Sequence, residues 1–142
     1  MTITEQHPIK VSFPSMIELT DPFVRFTEEL CLFLKFDRQI VDNVALAVDE
    51  ALVNAIRHGN KNNPNLCSTI EFFVLKEGLK IVISDHGEGF DMNGIADPLH
   101  EDNLLKKGGR GIFLMKSLIG KVDFLFDRSG TKVIFFISYD FR

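Results

Sequence analysis

Four polar side chains interrupt an otherwise apolar helical segment in the middle of the sequence. At 100° per residue, one arc of roughly 100° holds Glu50, Asn54, Arg57 and His58. A solvated helix face would explain this polar ridge, although Asn is a mediocre helix former with little reason to occur mid-helix on an idle surface. A carboxylate and an amide one turn apart could instead hold Mg²⁺ and its waters, because this ion prefers oxygen ligands. The helix pattern alone leaves both interpretations open.

A second group of candidate residues lies at the end of an apolar strand pattern. Asp85 closes this strand and is followed at alternate positions by Gly87 and Gly89. A carboxylate at that point can accept a hydrogen bond from a ligand, and the glycines let the backbone approach it closely. A simple glycine turn is the alternative. A dinucleotide-binding fingerprint fits less well, because Met92 stands where its third glycine is expected.

The third candidate is a glycine cluster directly before a predicted helix. Gly108, Gly109 and Gly111 precede the helical pattern, and Lys107 and Arg110 add positive charge. Unpaired backbone N–H groups at a helix N-terminus, together with the helix dipole, favour an anion. The segment is not a P-loop, because no Lys-Ser or Lys-Thr pair follows the glycines. It therefore indicates phosphate binding of another kind.

The elements that position these residues follow from hydrophobic periodicity. The pattern predicts strands at 9–13, 68–75, 79–84, 122–126 and 132–138, and helices at 23–36, from after Asp37 to about His58, and at 111–118. We expect the first helix to start at Asp21-Pro22, with the acid as N-cap. This order predicts an α+β fold, a two-layer sandwich in which a mixed, mostly antiparallel sheet is covered on one face by about three helices.

Composition limits the classes of function. The 142 residues, 45% of them hydrophobic, suit a single domain spanning 1–142. A formal charge of -4 argues against nucleic acid or an anionic membrane as the main partner. Cys31 and Cys67 match no metal or redox spacing, so we expect buried or half-buried free thiols in a reducing cytoplasm. The N-terminus has no signal-peptide pattern, and no apolar run approaches the roughly 20 residues of a membrane span.

Together, the candidate segments resemble the boxes of the Bergerat-fold (GHKL) ATPases, the superfamily of GyrB, Hsp90, MutL and sensor histidine kinases. Glu50-x-x-x-Asn54 resembles their N box, Asp85-x-Gly87-x-Gly89 the adenine box and Gly109-x-Gly111 the lid box, and Ser129-Gly130-Thr131 resembles the final box. The phrases AVDEALVNAIRHGN, DHGEGFD and GGRGIFLM are similar to those of the anti-sigma-factor serine/threonine kinases of bacteria. The resemblance spans roughly residues 9–138, and four boxes in register are far more specific than any one of them.

The resemblance implies a role for each matching residue. Asn54 would coordinate Mg²⁺ that bridges the ATP phosphates, and Glu50 would act as general base on the attacking hydroxyl. Asp85 would accept a hydrogen bond from the adenine amino group, and Thr131 would help to hold adenine. The remaining implied nucleotide contacts are Arg57, His58, Gly87, Gly89, Lys107, Gly108, Gly109, Arg110 and Gly111. The long polar segment of about 86–110 would form a lid over the nucleotide.

The function implied by the resemblance is ATP-dependent phosphorylation of a small antagonist protein on Ser or Thr, within a partner-switching system that could include a sigma factor. One alternative is a nucleotide-dependent binding switch without phosphoryl transfer, and another is the catalytic piece of a larger sensor. We expect a cytoplasmic protein, and a homodimer by analogy. The sequence departs from the group at Gly120-Lys121, where relatives often carry an acid.

Overall fold

The computed structural model describes residues 7–86, 116–119 and 121–141. The strands in this part are β1 (Ile9–Pro14), β2 (Cys67–Val74), β3 (Gly78–Asp85), β4 (Val122–Asp127) and β5 (Gly130–Ser138). The α-helices are α1 (Thr20–Phe33) and α2 (Arg38–Asn54), followed by a π-helical turn, Ala55–Gly59, which we call the π turn. Short 3-10 turns occupy Ile17–Leu19 and Tyr139–Phe141, and residues 116–119 are helical.

The five strands form one sheet in the order β1-β2-β3-β5-β4, and every described pairing is antiparallel. Each predicted strand is confirmed with ends within two residues of the prediction. The predicted α+β sandwich is confirmed as well, whereas the expected parallel component of the sheet is not found among the described strands. Antiparallel pairing follows from the short connections between β2 and β3 and between β4 and β5, which permit hairpins but no crossover.

The core lies between one face of the sheet and the two long helices. Directly opposed residues form rows across this face, and the row Phe72, Ile81 and Phe135 is at most 1% exposed. The buried side of α2 is built mostly from Ala and Val, which allow the helix to pack closely. Its buried side chains are Val41, Val44, Ala45, Ala47, Val48, Ala51 and Leu52.

The opposite face of the sheet carries aromatic rings beneath lysines. Lys80 Nζ lies 4.4 Å from the ring centre of Phe73, and Lys121 Nζ lies 5.3 Å from that of Phe136. Such cation–π contacts cover apolar surface while the charges stay hydrated. Lys121, for which the sequence suggested no role, therefore has a structural one on this face.

The two ends of α1 differ from the prediction. The helix begins at Thr20, whose hydroxyl donates to the Ile17 carbonyl at 2.9 Å, so Asp21 lies in the first turn and is not the N-cap. The helix ends at Phe33, because Lys35 adopts a left-handed conformation with φ of 68°. Phe36 N–H then donates to the Cys31 carbonyl at 3.1 Å, the bond of a Schellman motif. Lys occupies a position where Gly or Asn usually signals a helix end, so the sequence pattern missed it.

Both cysteines are free thiols, as predicted, but their environments differ. Cys31 is fully buried, and burial followed by the charge of Glu28 raises the pKa of its thiol to about 12. Cys67 is exposed, which contradicts the expectation that both thiols are at least half-buried. It begins β2 opposite Pro14 at the end of the edge strand, where a side chain meets solvent.

We expect a thiol-specific reagent to modify one cysteine per native chain and both after denaturation, because only a thiolate that reaches solvent reacts readily. Titration of the native and urea-unfolded chain with Ellman's reagent measures this difference. The control, Cys67→Ala, should show no fast-reacting thiol in the native state. Equal reactivity of both thiols in the native wild type would contradict the burial of Cys31.

None of the helices described combines the length and the apolar character that crossing a bilayer requires.

Candidate functional site

Asp85 lies at the end of β3 and is 7% exposed. The backbone N–H of Thr131, near the start of the adjacent strand β5, donates to Asp85 Oδ1 at 3.2 Å. Two residues from separate predicted boxes, 46 positions apart, are therefore in direct contact. Because β3 and β5 are antiparallel neighbours, the end of one and the start of the other meet at the same edge of the sheet.

Two glycines make room for this carboxylate. A Cβ added to Gly59, at the end of the π turn, would lie 2.1 Å from Asp85 Oδ2 and 2.3 Å from its Cγ. A Cβ added to Gly130 would lie 2.2 Å from the Asp85 carbonyl oxygen, and Gly130 also has a φ of +136°. Neither position can accept a larger residue without displacing Asp85. The carboxylate is thus enclosed by backbone on two sides, in a place that glycine alone keeps open.

The π turn brings the end of the second helix onto the sheet, where it packs against β3 and β5. The Asn60 N–H donates to the Ala55 carbonyl at 2.8 Å, a bond across five residues instead of four. The predicted helix to about His58 is therefore correct in extent, but its last five residues are π-helical and not α-helical. Such turns occur frequently at functional sites.

The change of helix type divides the predicted polar ridge into two parts. Glu50 and Asn54 lie on α2 and are half-buried, whereas Arg57 and His58 lie in the π turn and are exposed. A wider turn changes the angular step between residues, so the predicted arc of roughly 100° does not continue past Asn54. The α-helical geometry therefore keeps together only Glu50, the predicted general base, and Asn54, the predicted Mg²⁺ ligand.

The π turn connects the helix that carries Glu50 and Asn54 to the Asp85 carboxylate. Gly59 contacts Asp85, and Glu50 precedes Gly59 by nine residues, which corresponds to roughly 13 Å along a helix axis. Asn54 lies between them. Along the helix axis the order is therefore Glu50, Asn54 and then Gly59 with its contact to Asp85.

A buried amide joins this site to the rest of the sheet. Asn60 is 1% exposed, and its Oδ1 accepts from the His86 N–H at 3.0 Å. Its Nδ2 donates towards Ser15 Oγ at 2.6 Å, the Cys67 carbonyl at 3.0 Å and Ser68 Oγ at 3.1 Å. The His86 Nδ1 lies 2.9 Å from the same Cys67 carbonyl. Asn60 therefore connects the helix end, β2, the residue after β1 and the residue after β3.

Sequence reasoning missed the structural parts of the site. The sequence pattern predicts a helix end near His58 and gives neither Gly59 nor Asn60 a role in the site, because the contacts of these residues leave no periodic signal. An amide directly after a helix-terminating glycine was the one available hint. Among the predicted nucleotide contacts, several fall outside the described residues, and their roles stay predictions: Gly87, Gly89, Lys107, Gly108, Gly109, Arg110 and Gly111.

The family model described as "Histidine kinase-like ATPase domain" matches residues 13–137, and the chain belongs to this family. The family-level resemblance drawn from the sequence motifs is therefore confirmed.

Among its relatives are the serine-protein kinases RsbW of Staphylococcus aureus strains MSSA476 and MW2, each 35% identical over 100 residues. The alignment covers 66% of this chain and 62% of each relative, so the chain spans less than two-thirds of their length.

Solved structures share the fold at lower identity. One contains the RsbU and RsbW domains of a Mycobacterium tuberculosis protein, with a TM-score of 0.66 and 12% identity over 93% of this chain and 32% of that one. Another is the histidine kinase domain of the Erythrobacter litoralis EL346 blue-light activated histidine kinase. Its TM-score is 0.57, with 20% identity over 72% of this chain and 46% of that one.

We expect Gly59→Ala to lower the free energy of unfolding by about 1–3 kcal/mol, because the new methyl group overlaps the Asp85 carboxylate. Urea titration of Gly59→Ala, Asp85→Ala and the double variant measures the coupling between the two positions. Removing the carboxylate relieves most of the overlap, so the double variant should lose less stability than the two single losses added together. Strict additivity would show that Gly59 and Asp85 do not meet as described.

Proposed function

We propose that this chain binds Mg-ATP and transfers the γ-phosphoryl group to a Ser or Thr hydroxyl of a small antagonist protein. One observation carries the proposal: the π turn that continues the helix bearing Glu50 and Asn54 ends against the Asp85 carboxylate. In this proposal Glu50, Asn54 and Asp85 line one elongated path for the nucleotide. The 35% identity to the serine-protein kinases RsbW supports the same reaction.

The residues of the path suit the parts of a nucleotide. The Asp85 carboxylate can accept a hydrogen bond from an exocyclic amino group such as that of adenine, while the Thr131 N–H holds its Oδ1 in place. Asn54 offers an amide oxygen, the type of ligand that Mg²⁺ accepts together with phosphate oxygens and water. When bound, Mg²⁺ supplies charge neutralisation at the phosphates. The donor set therefore fits the nucleotide and the metal.

Glu50 is the residue that makes the site an enzyme in this proposal. Its carboxylate accepts the proton of the Ser or Thr hydroxyl as the hydroxyl oxygen bonds to the γ-phosphorus. The bond from the γ-phosphorus to the β,γ-bridging oxygen breaks, and ADP leaves with that oxygen. Phosphoryl transfer needs little more from the protein than positioning and one base. A module that only binds nucleotide would have no use for Glu50.

The wider setting of the reaction is part of the proposal. We place the chain in a partner-switching system in the cytoplasm, where ATP is available. Phosphorylation of the antagonist there decides whether the chain instead holds a second protein, for which a sigma factor is our candidate. Residues 1–142 would act as one domain, and the predicted lid of about 86–110 lies outside the described residues apart from His86, so its role stays a prediction.

The test is phosphoryl transfer from radiolabelled ATP to the candidate antagonist, compared between wild type and Glu50→Gln. We expect Glu50→Gln to slow transfer by at least about 100-fold, because it removes the general base. Its Kd for Mg-ATP, measured by calorimetry, should stay within about threefold of wild type.

Asp49→Asn is the matched control, since it removes the same charge from the adjacent residue of α2. Burial, and then the charge of Asp21, raises the pKa of Asp49, so the neutral side chain suits its surroundings. We expect Asp49→Asn to transfer at the wild-type rate. Equal transfer by Glu50→Gln, or ATP binding by the wild type with no phosphoserine or phosphothreonine formed, contradicts the kinase proposal. The second of these results favours a nucleotide-dependent binding switch.

A further inference from the structure

A buried amide holds the end of β3 in place, although the sequence motifs give it no role. Asn60 lies one residue beyond Gly59, and His86 lies one residue beyond Asp85. The Asn60 Oδ1 accepts from the His86 N–H at 3.0 Å, next to the contact between Gly59 and the carboxylate. Two consecutive residues of one turn therefore contact Asp85 and the residue that follows Asp85.

The orientation of this amide is determined by its partners. The backbone N–H of His86 can only donate, and the backbone carbonyl of Cys67 can only accept. A flipped amide would place its oxygen against the carbonyl and its NH₂ group against the N–H, losing both bonds. Because Asn60 is only 1% exposed, hydrogen bonds to water would not replace the two lost bonds. Asn60 thus fixes the position of the end of β3 relative to the start of β2.

The local backbone also indicates a positioning function. Lys61 and Asn62 have φ values of 53° and 57°, in the left-handed region that most side chains avoid. The chain adopts these conformations directly after Asn60, where the Asn62 N–H donates to the Ile56 carbonyl at 2.8 Å. The turn is therefore folded back tightly on the π turn, which keeps Asn60 directed into the sheet.

We propose that Asn60 is a positioning residue that sets selectivity for the adenine base by fixing the Asp85 carboxylate. This inference rests on the proposed function, because it assumes that Asp85 recognises the base of a bound nucleotide. A carboxylate accepts from the 6-amino group of adenine but repels the 6-oxo group of guanine. Its discrimination depends on its position, so a small displacement of Asp85 weakens the preference for ATP.

The experiment measures Kd for Mg-ATP and Mg-GTP by calorimetry in wild type, Asn60→Ala, Asn60→Ser and Ser15→Ala. We expect the wild type to prefer ATP, and both Asn60 variants to reduce the ratio of the two Kd values by at least about tenfold. Asn60→Ser keeps a hydroxyl in the buried space, so it serves if the alanine variant does not fold. Urea titration identifies conditions in which each variant is folded.

Ser15→Ala is the matched control for a loss of stability alone. Ser15 Oγ belongs to the same network and donates to the Leu66 carbonyl at 2.7 Å, whereas the His86 N–H bonds to Asn60. We expect this variant to be less stable than wild type while keeping its selectivity for ATP. A loss of selectivity equal to that of the Asn60 variants would overturn the positioning role, since any damage to the network would then have the same effect.

The remaining outcomes separate the inference from the function beneath it. Selectivity for ATP in the wild type that persists in both Asn60 variants overturns the inference and leaves the proposed function standing. A wild-type chain that binds neither nucleotide overturns the proposed function, and the inference with it. A wild-type chain that binds both nucleotides equally overturns the assigned role of Asp85, and therefore the inference, without contradicting phosphoryl transfer.

Discussion

The contact between the end of the helix and the Asp85 carboxylate is the constraint on which the site depends. Gly59 has no side chain where the carboxylate lies, and Asn60 accepts a hydrogen bond from His86, the residue after Asp85. These contacts hold the π turn, which continues α2, against the end of β3 at one edge of the sheet. Without these contacts, the position of the π turn relative to the end of β3 would not be fixed.

This contact also explains why the site contains residues whose side chains take no part in a reaction. A buried carboxylate is costly unless hydrogen bonds compensate for its lost water, and the N–H of Thr131 provides one such bond. Glycine on either side lets backbone atoms approach where side chains would not fit. Close backbone packing and a local hydrogen bond thus act together to fix the position of the Asp85 carboxylate.

The sequence was most informative where a residue type recurs with a period or belongs to a dense motif. The apolar alternation of the strands and the ridge of Glu50 and Asn54 could be predicted, and the strands were found within two residues of their expected ends. The end of α1 at Phe33 could not, because Lys35 adopts a conformation that its type disfavours. The role of Asn60 could not either, since its partners lie 7 to 45 residues away and only the folded sheet brings them together.

The π turn has a consequence for how this family domain tolerates changes in chain length. A turn with bonds across five residues is equivalent to one residue inserted into an α-helix. Deleting that residue would restore α-helical winding and rotate everything beyond it by about 100°. A different residue would then face the sheet edge. In the π turn, the number of residues, and not only their identity, therefore determines which residue of the turn meets the end of β3.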